Sequence, residues 1–170
     1  MKYLLIVLMI MAVAILGCKA APQNQENLPL ADNTASAEES SEEYEPGIWI
    51  DNWEFALETA NKLKRPILIN FTGSDWCPWC FRLRDEVFVQ KEFIDYAKEN
   101  LVLVVLDFPR AIKQSEELRA QNLSLQKKYD IQGYPTILLV DADAKEIART
   151  GYQQGGAQGY VLHLKELLAQ

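Results

Sequence analysis

Histidine and cysteine are scarce in this sequence, which has one histidine and three cysteines in 170 residues. A structural zinc site takes about four ligands, usually two cysteine pairs or one pair with histidines. Apart from Cys18 near the start, only Cys77, Cys80 and His163 are available, and His163 lies far from the pair along the chain. Covalent haem attachment needs a histidine directly after a C-x-x-C pair, where this chain has Phe81. The sequence therefore predicts no metal site and no small-molecule cofactor.

Basic residues are outnumbered by acidic ones, with 17 Lys and Arg against 24 Asp and Glu and a formal net charge of -7. Domains that bind nucleic acid present a basic patch or stripe, and no basic stripe interrupts the acidic excess here. The composition therefore argues against nucleic acid as a partner.

The N-terminal apolar run, residues 3–16, is shorter than the roughly 20 residues that a membrane-spanning helix needs. A short positive start followed by such a run is typical of a secretory signal. The segment Ile15-Leu16-Gly17-Cys18 resembles the bacterial lipobox. This resemblance implies that residues 1–17 are a lipoprotein signal peptide and that Cys18 is acylated, which would anchor the protein to a membrane. An ordinary signal peptide with an incidental cysteine is the alternative.

Residues 18–46 are rich in Glu, Ser, Ala, Asn and Gln and nearly lack aromatic and β-branched residues. Such a segment cannot bury enough apolar surface to offset the entropy of ordering it. We therefore expect a flexible acidic linker, with binding of a basic partner by its glutamates as the alternative. Residues 47–170 have the length of one domain with its own core, and we expect this domain to be a monomer.

The order of apolar patterns in the domain predicts an α/β fold. Apolar runs predict four strands, at residues 66–72, 101–108, 135–140 and 146–152. Helical spacing predicts helices at residues 52–64, 80–100 with a break near residues 89–91, 116–129 and 157–170. Asp51 and Ser115 are the candidate N-caps. This order predicts a central mixed β-sheet flanked by helices on both faces.

The cysteine pair lies in the segment Cys77-Pro78-Trp79-Cys80, between a predicted buried strand and a predicted helix. Free N–H groups at a helix N-terminus stabilise a negative sulfur, which raises the reactive thiolate fraction of the first cysteine. The second cysteine, one turn later, is placed to attack a mixed disulfide and release the product. Cys77 is therefore the candidate nucleophile and Cys80 the candidate resolving thiol. A purely structural disulfide is the alternative, although so short a loop would contribute little stability.

Two segments, ILINFTGSDWCPWC and YDIQGYPTILLVDADAKEIARTGY, resemble signatures of the thioredoxin superfamily. More narrowly, they resemble bacterial periplasmic thioredoxin-like proteins, including domains of thiol:disulfide interchange proteins. The resemblance covers residues 48–170 and implies a thioredoxin fold in which Pro135 is a cis-proline facing the cysteines. The candidate substrate groove consists of Trp76, Pro78, Trp79, Tyr134, Pro135 and Thr136. Filling of space beside the core is the alternative role for the tryptophans.

Two departures from the family limit what the resemblance implies. Thioredoxins usually place a buried aspartate before the motif as a proton acceptor for the resolving cysteine, and the matching residue here is Asn70. Whether Asp75 takes over this role is left open by the sequence. The residues between the cysteines are Pro-Trp, whereas thioredoxins have Gly-Pro. Related proteins span reduction potentials from about -270 to about -120 mV, so the direction of electron flow is not predicted.

The resemblance implies a thiol–disulfide oxidoreductase that reduces or isomerises protein disulfides in the cell envelope, using the Cys77–Cys80 couple. Protein thiols and disulfides and a further redox partner are the expected partners. Two alternatives stay open: an oxidase that donates its disulfide, and a non-catalytic binding module with the same fold.

Overall fold

Five strands form one mixed sheet in the computed structural model, which describes residues 43–169. The strands are β1 (Trp49–Ile50), β2 (Ile67–Thr72), β3 (Val102–Asp107), β4 (Thr136–Val140) and β5 (Glu146–Thr150), in the spatial order β1-β3-β2-β4-β5. β3 pairs in parallel with both β1 and β2, whereas β4 is antiparallel to β2 and β5. The sequence did not predict β1, because two residues are too few to show a periodic pattern.

The helices follow the predicted order. They are α1 (Trp53–Leu63), α2 (Pro78–Leu83), a π-helical segment (Arg84–Phe88), α3 (Lys91–Asn100), α4 (Glu116–Lys128) and α5 (Gly156–Leu168). The predicted break is confirmed, since residues 89–90 separate the π-helical segment from α3.

The N-caps of α1 and α4 were predicted with one error. Ser115 caps α4 as predicted, because its side chain accepts the Leu118 N–H at 3.1 Å. The predicted cap of α1, Asp51, is wrong: Asn52 accepts the Phe55 N–H at 3.1 Å instead. Asp and Asn are equally good caps, so adjacent candidates cannot be separated by residue type.

Helices cover both faces of the sheet, which confirms that prediction. The side chains of Ile67 and Phe71 belong to a core cluster that includes residues of α1 and α4. Leu68 belongs to a second cluster, which includes residues of α2, α3 and α5. Successive strand residues point to opposite faces, and a strand covered on both sides is therefore apolar throughout. All six residues of β2 are buried accordingly.

The described chain begins within the predicted linker. The Tyr44 hydroxyl donates to the Leu101 carbonyl at 3.3 Å, and the Tyr44 ring packs against the cluster beneath α1. The predicted signal peptide and Cys18 lie outside the described residues. None of the helices within residues 43–169 has the length and apolar character needed to span a membrane.

Candidate active site

The cysteine pair lies where β2 ends and α2 begins. Cys77 is the N-cap of α2, and its sulfur accepts the N–H of Cys80 at 3.2 Å. The Cys77 N–H in turn donates to the Gly73 carbonyl at 3.1 Å, which closes the turn that leads out of β2. Cys77 and Cys80 form a disulfide, with their Cα atoms 5.2 Å apart. The turn and the first helical residues therefore hold both sulfurs in place.

Both cysteines are nearly buried, with exposed fractions of 3% for Cys77 and 5% for Cys80. The two residues between them are exposed, and 52% of Trp79 is accessible to solvent. Pro78 and Trp79 therefore contribute exposed surface next to the disulfide.

Trp79 belongs to a cluster that connects α2 and the π-helical segment with Tyr152, which follows β5. Its ring lies 5.3 Å from that of Tyr152, and the Arg82 guanidinium lies 5.2 Å from the Trp79 ring. The Tyr152 hydroxyl donates to the Glu86 carboxylate at 2.5 Å, and Arg82 Nε donates to it at 3.1 Å. The bond from Tyr152 lowers the pKa of Glu86 and raises that of Tyr152. This network orients Arg82 and Tyr152 beside the exposed tryptophan.

Trp76 belongs to a second cluster, on the side of the loop that follows β3. Its Nε1 donates to the Phe108 carbonyl at 2.8 Å, and its ring meets that of Tyr134 edge-on at 5.7 Å. The Arg110 guanidinium lies 3.9 Å from the Trp76 ring centroid. A Cβ atom on Gly73 would lie 2.5 Å from the indole, so only glycine fits beneath it.

The loop after β3 is tied to the cysteine turn through Ser74 and Asp75. The Ser74 N–H and hydroxyl donate to the Asp107 carboxylate at 2.8 and 2.5 Å. The Asp75 carboxylate accepts the backbone N–H groups of Arg110 and Ala111, at shortest distances of 3.0 and 2.6 Å. These two bonds hold the pKa of Asp75 below its ordinary value. Asp75 therefore links the cysteine turn to the loop after β3 by hydrogen bonds.

Asn70 lies on β2 next to the cysteines and is nearly buried, with 9% exposed. Its Oδ1 has no hydrogen-bond partner within the described residues. Asn70 and Cys80 line the same cavity of about 350 Å³, together with Thr72 and Ser74. Because an amide does not ionise, this cavity wall carries no proton acceptor of the carboxylate type at Asn70.

The predicted groove residues of the second signature lie beside the cysteine turn. The Tyr134–Pro135 peptide bond is cis, and β4 begins directly afterwards at Thr136. The Tyr134 ring contacts Phe108 at 5.2 Å in addition to Trp76. The structure thus brings Trp76, Pro78, Trp79 and Tyr134 together around the disulfide, while the roles of all the candidate groove residues stay predictions.

The sequence did not identify Arg110, Phe108, Tyr152 and Glu86 as residues of this region. Phe108 and Arg110 follow β3, which is parallel to β2. Since the carboxyl ends of adjacent parallel strands meet at one edge of a sheet, their position after β3 was the available signal. No comparable signal exists for the contact between Tyr152 and Glu86, which joins two distant segments.

The described residues offer no evident metal site. Among residues 43–169, no group of three or more His, Cys, Asp or Glu side chains is arranged to hold a metal ion. The redox group that the geometry presents is the disulfide itself.

Comparisons with known proteins agree with this geometry. Residues 53–158 match the model of the thioredoxin-like domain family. Over 118 residues the chain is 37% identical to the disulfide bond reductase DsbH of Chlamydia pneumoniae, covering 69% of this chain and 71% of that protein. Over 122 residues it is 29% identical to the thiol:disulfide interchange protein DsbD of Pseudoalteromonas atlantica, covering 70% of this chain but only 19% of DsbD.

A solved structure of a DsbH oxidoreductase superimposes with a TM-score of 0.70 at 32% identity, covering 88% of this chain and 95% of the other. The predicted thioredoxin fold is thereby confirmed. Together with the Cys77–Cys80 disulfide, these similarities show that the chain belongs to the thioredoxin-like family of thiol–disulfide oxidoreductases.

Proposed function

We propose that the protein reduces, and in part isomerises, protein disulfides in the bacterial cell envelope. The observation that carries this proposal is the Cys77–Cys80 disulfide at the start of α2, beneath the exposed Pro78 and Trp79. The similarity to a protein named disulfide bond reductase supports reduction as the main direction. Electrons then pass through the cysteine pair without another cofactor.

Cys77 is the attacking cysteine in this mechanism. In the disulfide form the Cys80 N–H donates to the Cys77 sulfur, and the same N–H would stabilise the Cys77 thiolate of the reduced protein. The thiolate attacks one sulfur of a substrate disulfide, so that a Cys77–substrate disulfide forms as the substrate's own S–S bond breaks. The first substrate sulfur leaves as a thiolate and takes a proton from water.

Cys80 completes the reaction. Its sulfur attacks Cys77 Sγ, which forms the Cys77–Cys80 disulfide and releases the second substrate thiolate. Cys80 loses one proton in this step and the released substrate thiolate gains one, so the protons balance. Asn70 does not accept this proton, because an amide does not ionise. Two electrons have then moved from the protein to the substrate. A dithiol partner restores the reduced pair by the reverse exchange.

The groove beside the disulfide suits an extended peptide. Trp79 offers an exposed apolar ring on one side, and Tyr134 lies with Trp76 on the other. The backbone of Tyr134 precedes β4 and can pair with an incoming strand, as in other cases of strand addition. Pro135 and Thr136 complete the floor of this groove in our proposal.

The location in the envelope rests on the sequence. The signal-like apolar run and the lipobox-like segment that ends at Cys18 support a lipoprotein whose folded domain faces the periplasm, on a linker that ends near residue 46. We propose that this domain acts as a monomer. Acylation anchors such a protein because each buried methylene contributes about 0.8 kcal/mol.

Single cysteine variants test the proposed roles. Cys80→Ser should accumulate a mixed disulfide with a model protein substrate, seen as a band on non-reducing gels that disappears with dithiothreitol. Cys77→Ser should neither trap substrate nor turn over the neutral substrate hydroxyethyl disulfide. Turnover by Cys77→Ser at the wild-type rate would overturn the assignment. A wild-type protein that reduces no disulfide while its fold stays intact would instead be a binding module.

A further inference from the structure

A second cavity lies beside the Trp76 cluster, on the loop after β3 and the start of α4. This cavity, of about 520 Å³, is lined by Phe108, Arg110, Ile112, Lys113, Arg119 and Leu123, among other residues. We call it the basic pocket. On the basis of the proposed function, we propose that the basic pocket binds an acidic segment of the protein substrate next to the disulfide that Cys77 attacks.

The three cations of the basic pocket are available to a partner. Arg110, Lys113 and Arg119 form no ion pair within residues 43–169. In contrast, Arg82 is paired with Glu86, and Arg149 with Glu146. No Asp or Glu is among the described residues that line the pocket. This concentration of positive charge stands out in a chain whose formal net charge is -7.

Exposed apolar side chains lie among these cations. Ile112 and Leu123 both line the pocket, and both are exposed large hydrophobic residues. An apolar surface with cations beside it is suited to a peptide that has both carboxylates and apolar side chains. The expected occupant is therefore an acidic segment that also carries apolar residues.

Arg110 connects the basic pocket to the reactive cysteine. Its guanidinium lies against the ring of Trp76, the residue directly before Cys77. Stacking occupies the face of the guanidinium and leaves its N–H edge free to bind a carboxylate. The Asp75 carboxylate holds the backbone N–H of Arg110, so the loop is fastened before a partner arrives. An acidic residue bound here would lie close to the sulfur that Cys77 attacks.

The acidic linker of the chain itself is a less suitable occupant. Tyr44, near the end of that linker, contacts Leu101 at the amino end of β3. The basic pocket begins beyond Asp107, at the carboxyl end of the same strand. Six strand residues separate these ends by roughly 20 Å. The acidic cluster of the linker, from Glu38 to Glu43, covers this distance from Tyr44 only when its residues are almost fully extended. A substrate segment is instead brought beside Arg110 by the disulfide that the substrate forms with Cys77, which favours the substrate as the occupant.

Peptide disulfides of different charge test the proposal. The reduced full chain is mixed with three peptides that contain the same disulfide, flanked by glutamate, glutamine or lysine, and its oxidation is followed by tryptophan fluorescence. We expect the glutamate peptide to react about tenfold faster than the glutamine peptide at low salt, and the lysine peptide to react slowest. Added salt should reduce these differences.

Charge-reversal variants locate the effect. In a Lys113→Glu/Arg119→Glu variant, the ratio of the glutamate rate to the glutamine rate should fall to about one or below. The matched control, Lys62→Glu/Lys145→Glu, changes two exposed lysines near the opposite end of the central strands, before β2 and after β4, and should keep the wild-type ratio.

Each contrary outcome has a distinct meaning. Equal rates for the three peptides would overturn the proposal that the basic pocket binds an acidic segment, but not the proposed function. The same holds if the Lys113→Glu/Arg119→Glu variant still prefers the glutamate peptide. Failure to reduce any of the peptides and neutral hydroxyethyl disulfide would overturn both. A preference that appears only after the linker glutamates are replaced by glutamine would show that the linker occupies the pocket, which also overturns the proposal.

Discussion

The carboxylate of Asp75 accepts the backbone N–H of Arg110, at 3.0 Å from Oδ1 and 3.1 Å from Oδ2. The same carboxylate accepts the N–H groups of Ala111 and Ile112, so one side chain holds three consecutive amides of the loop after β3. The sequence left open whether Asp75 replaces the missing buried carboxylate at Asn70. In the structure Asp75 is instead directed at this loop, where it positions Arg110.

Asp75→Asn should destabilise the protein most at neutral pH. The hydrogen bonds from Arg110 and Ala111 hold the pKa of Asp75 below its ordinary value of about 3.9. A lowered folded-state pKa contributes stability that is present above the ordinary value and is lost as the pH falls through the folded value. Urea unfolding at neutral pH and near pH 3 should therefore show a difference from wild type that narrows in acid. A difference that grows in acid would contradict this role.

Asn70→Asp should place a carboxyl group in the cavity beside Cys80. Burial raises the pKa of a carboxyl group. In acid the group is neutral, and burying it lowers the free energy of unfolding little. The free energy of unfolding then falls as the pH rises through the folded-state pKa and the group becomes charged. At pH 8 we expect a loss of about 1–3 kcal/mol in the free energy of unfolding of the oxidised protein.

Asn52→Asp is the matched control for this substitution. Asn52 is exposed and caps α1, and aspartate is an equally good N-cap. The difference in unfolding free energy between Asn52→Asp and the wild type should be nearly the same in acid and at pH 8. If the unfolding free energies of the two variants had the same pH dependence, burial would not raise the pKa of a carboxyl group at position 70.

Gly73→Ala should displace Trp76. The added Cβ would meet the indole at 2.5 Å, and the indole is held by its bond to the Phe108 carbonyl. Overpacking of this kind costs about 1–3 kcal/mol, which urea unfolding would detect together with a change in tryptophan fluorescence. The control is Gly133→Ala, where nothing lies within 4 Å of the new atom. Wild-type stability in Gly73→Ala would show that the turn tolerates a side chain.

Trp79→Ala should impair reduction of protein and peptide disulfides with little loss of stability. The side chain is 52% exposed, and its ring contacts are with Tyr152 and Arg82 at the surface. We expect the free energy of unfolding to fall by less than about 1 kcal/mol. The kcat/KM for a peptide disulfide should fall by about three- to tenfold.

Leu162→Ala is the matched control for Trp79→Ala, because Leu162 is also a large, exposed apolar residue and lies on α5. It should leave kcat/KM unchanged. If Trp79→Ala kept the wild-type kcat/KM, the assignment of Trp79 to the substrate groove would be wrong.

The fold was predictable from the sequence because its central strands are covered on both faces. Continuous apolar runs such as β2 and β3 show this burial directly. The position of Cys77 between a strand and a helix was also predictable, because both elements show their own apolar pattern in the local sequence. Contacts such as that of Arg110 with Trp76 depend on how distant loops meet, and no local pattern contains that information. The side-chain contacts around the cysteines therefore had to be read from the structure, whereas the redox chemistry of the cysteine pair was predictable from the sequence.

The reduction potential of the Cys77–Cys80 couple tests the proposed direction most directly. The purified full chain would be equilibrated in dithiothreitol and glutathione buffers, and the fluorescence of Trp76 and Trp79, which flank the cysteines, would report the redox state. A reductase should have a potential of about -250 mV or lower, so that it passes electrons to protein disulfides. A potential between about -180 and -120 mV would contradict reduction as the main direction and indicate an isomerase or an oxidase.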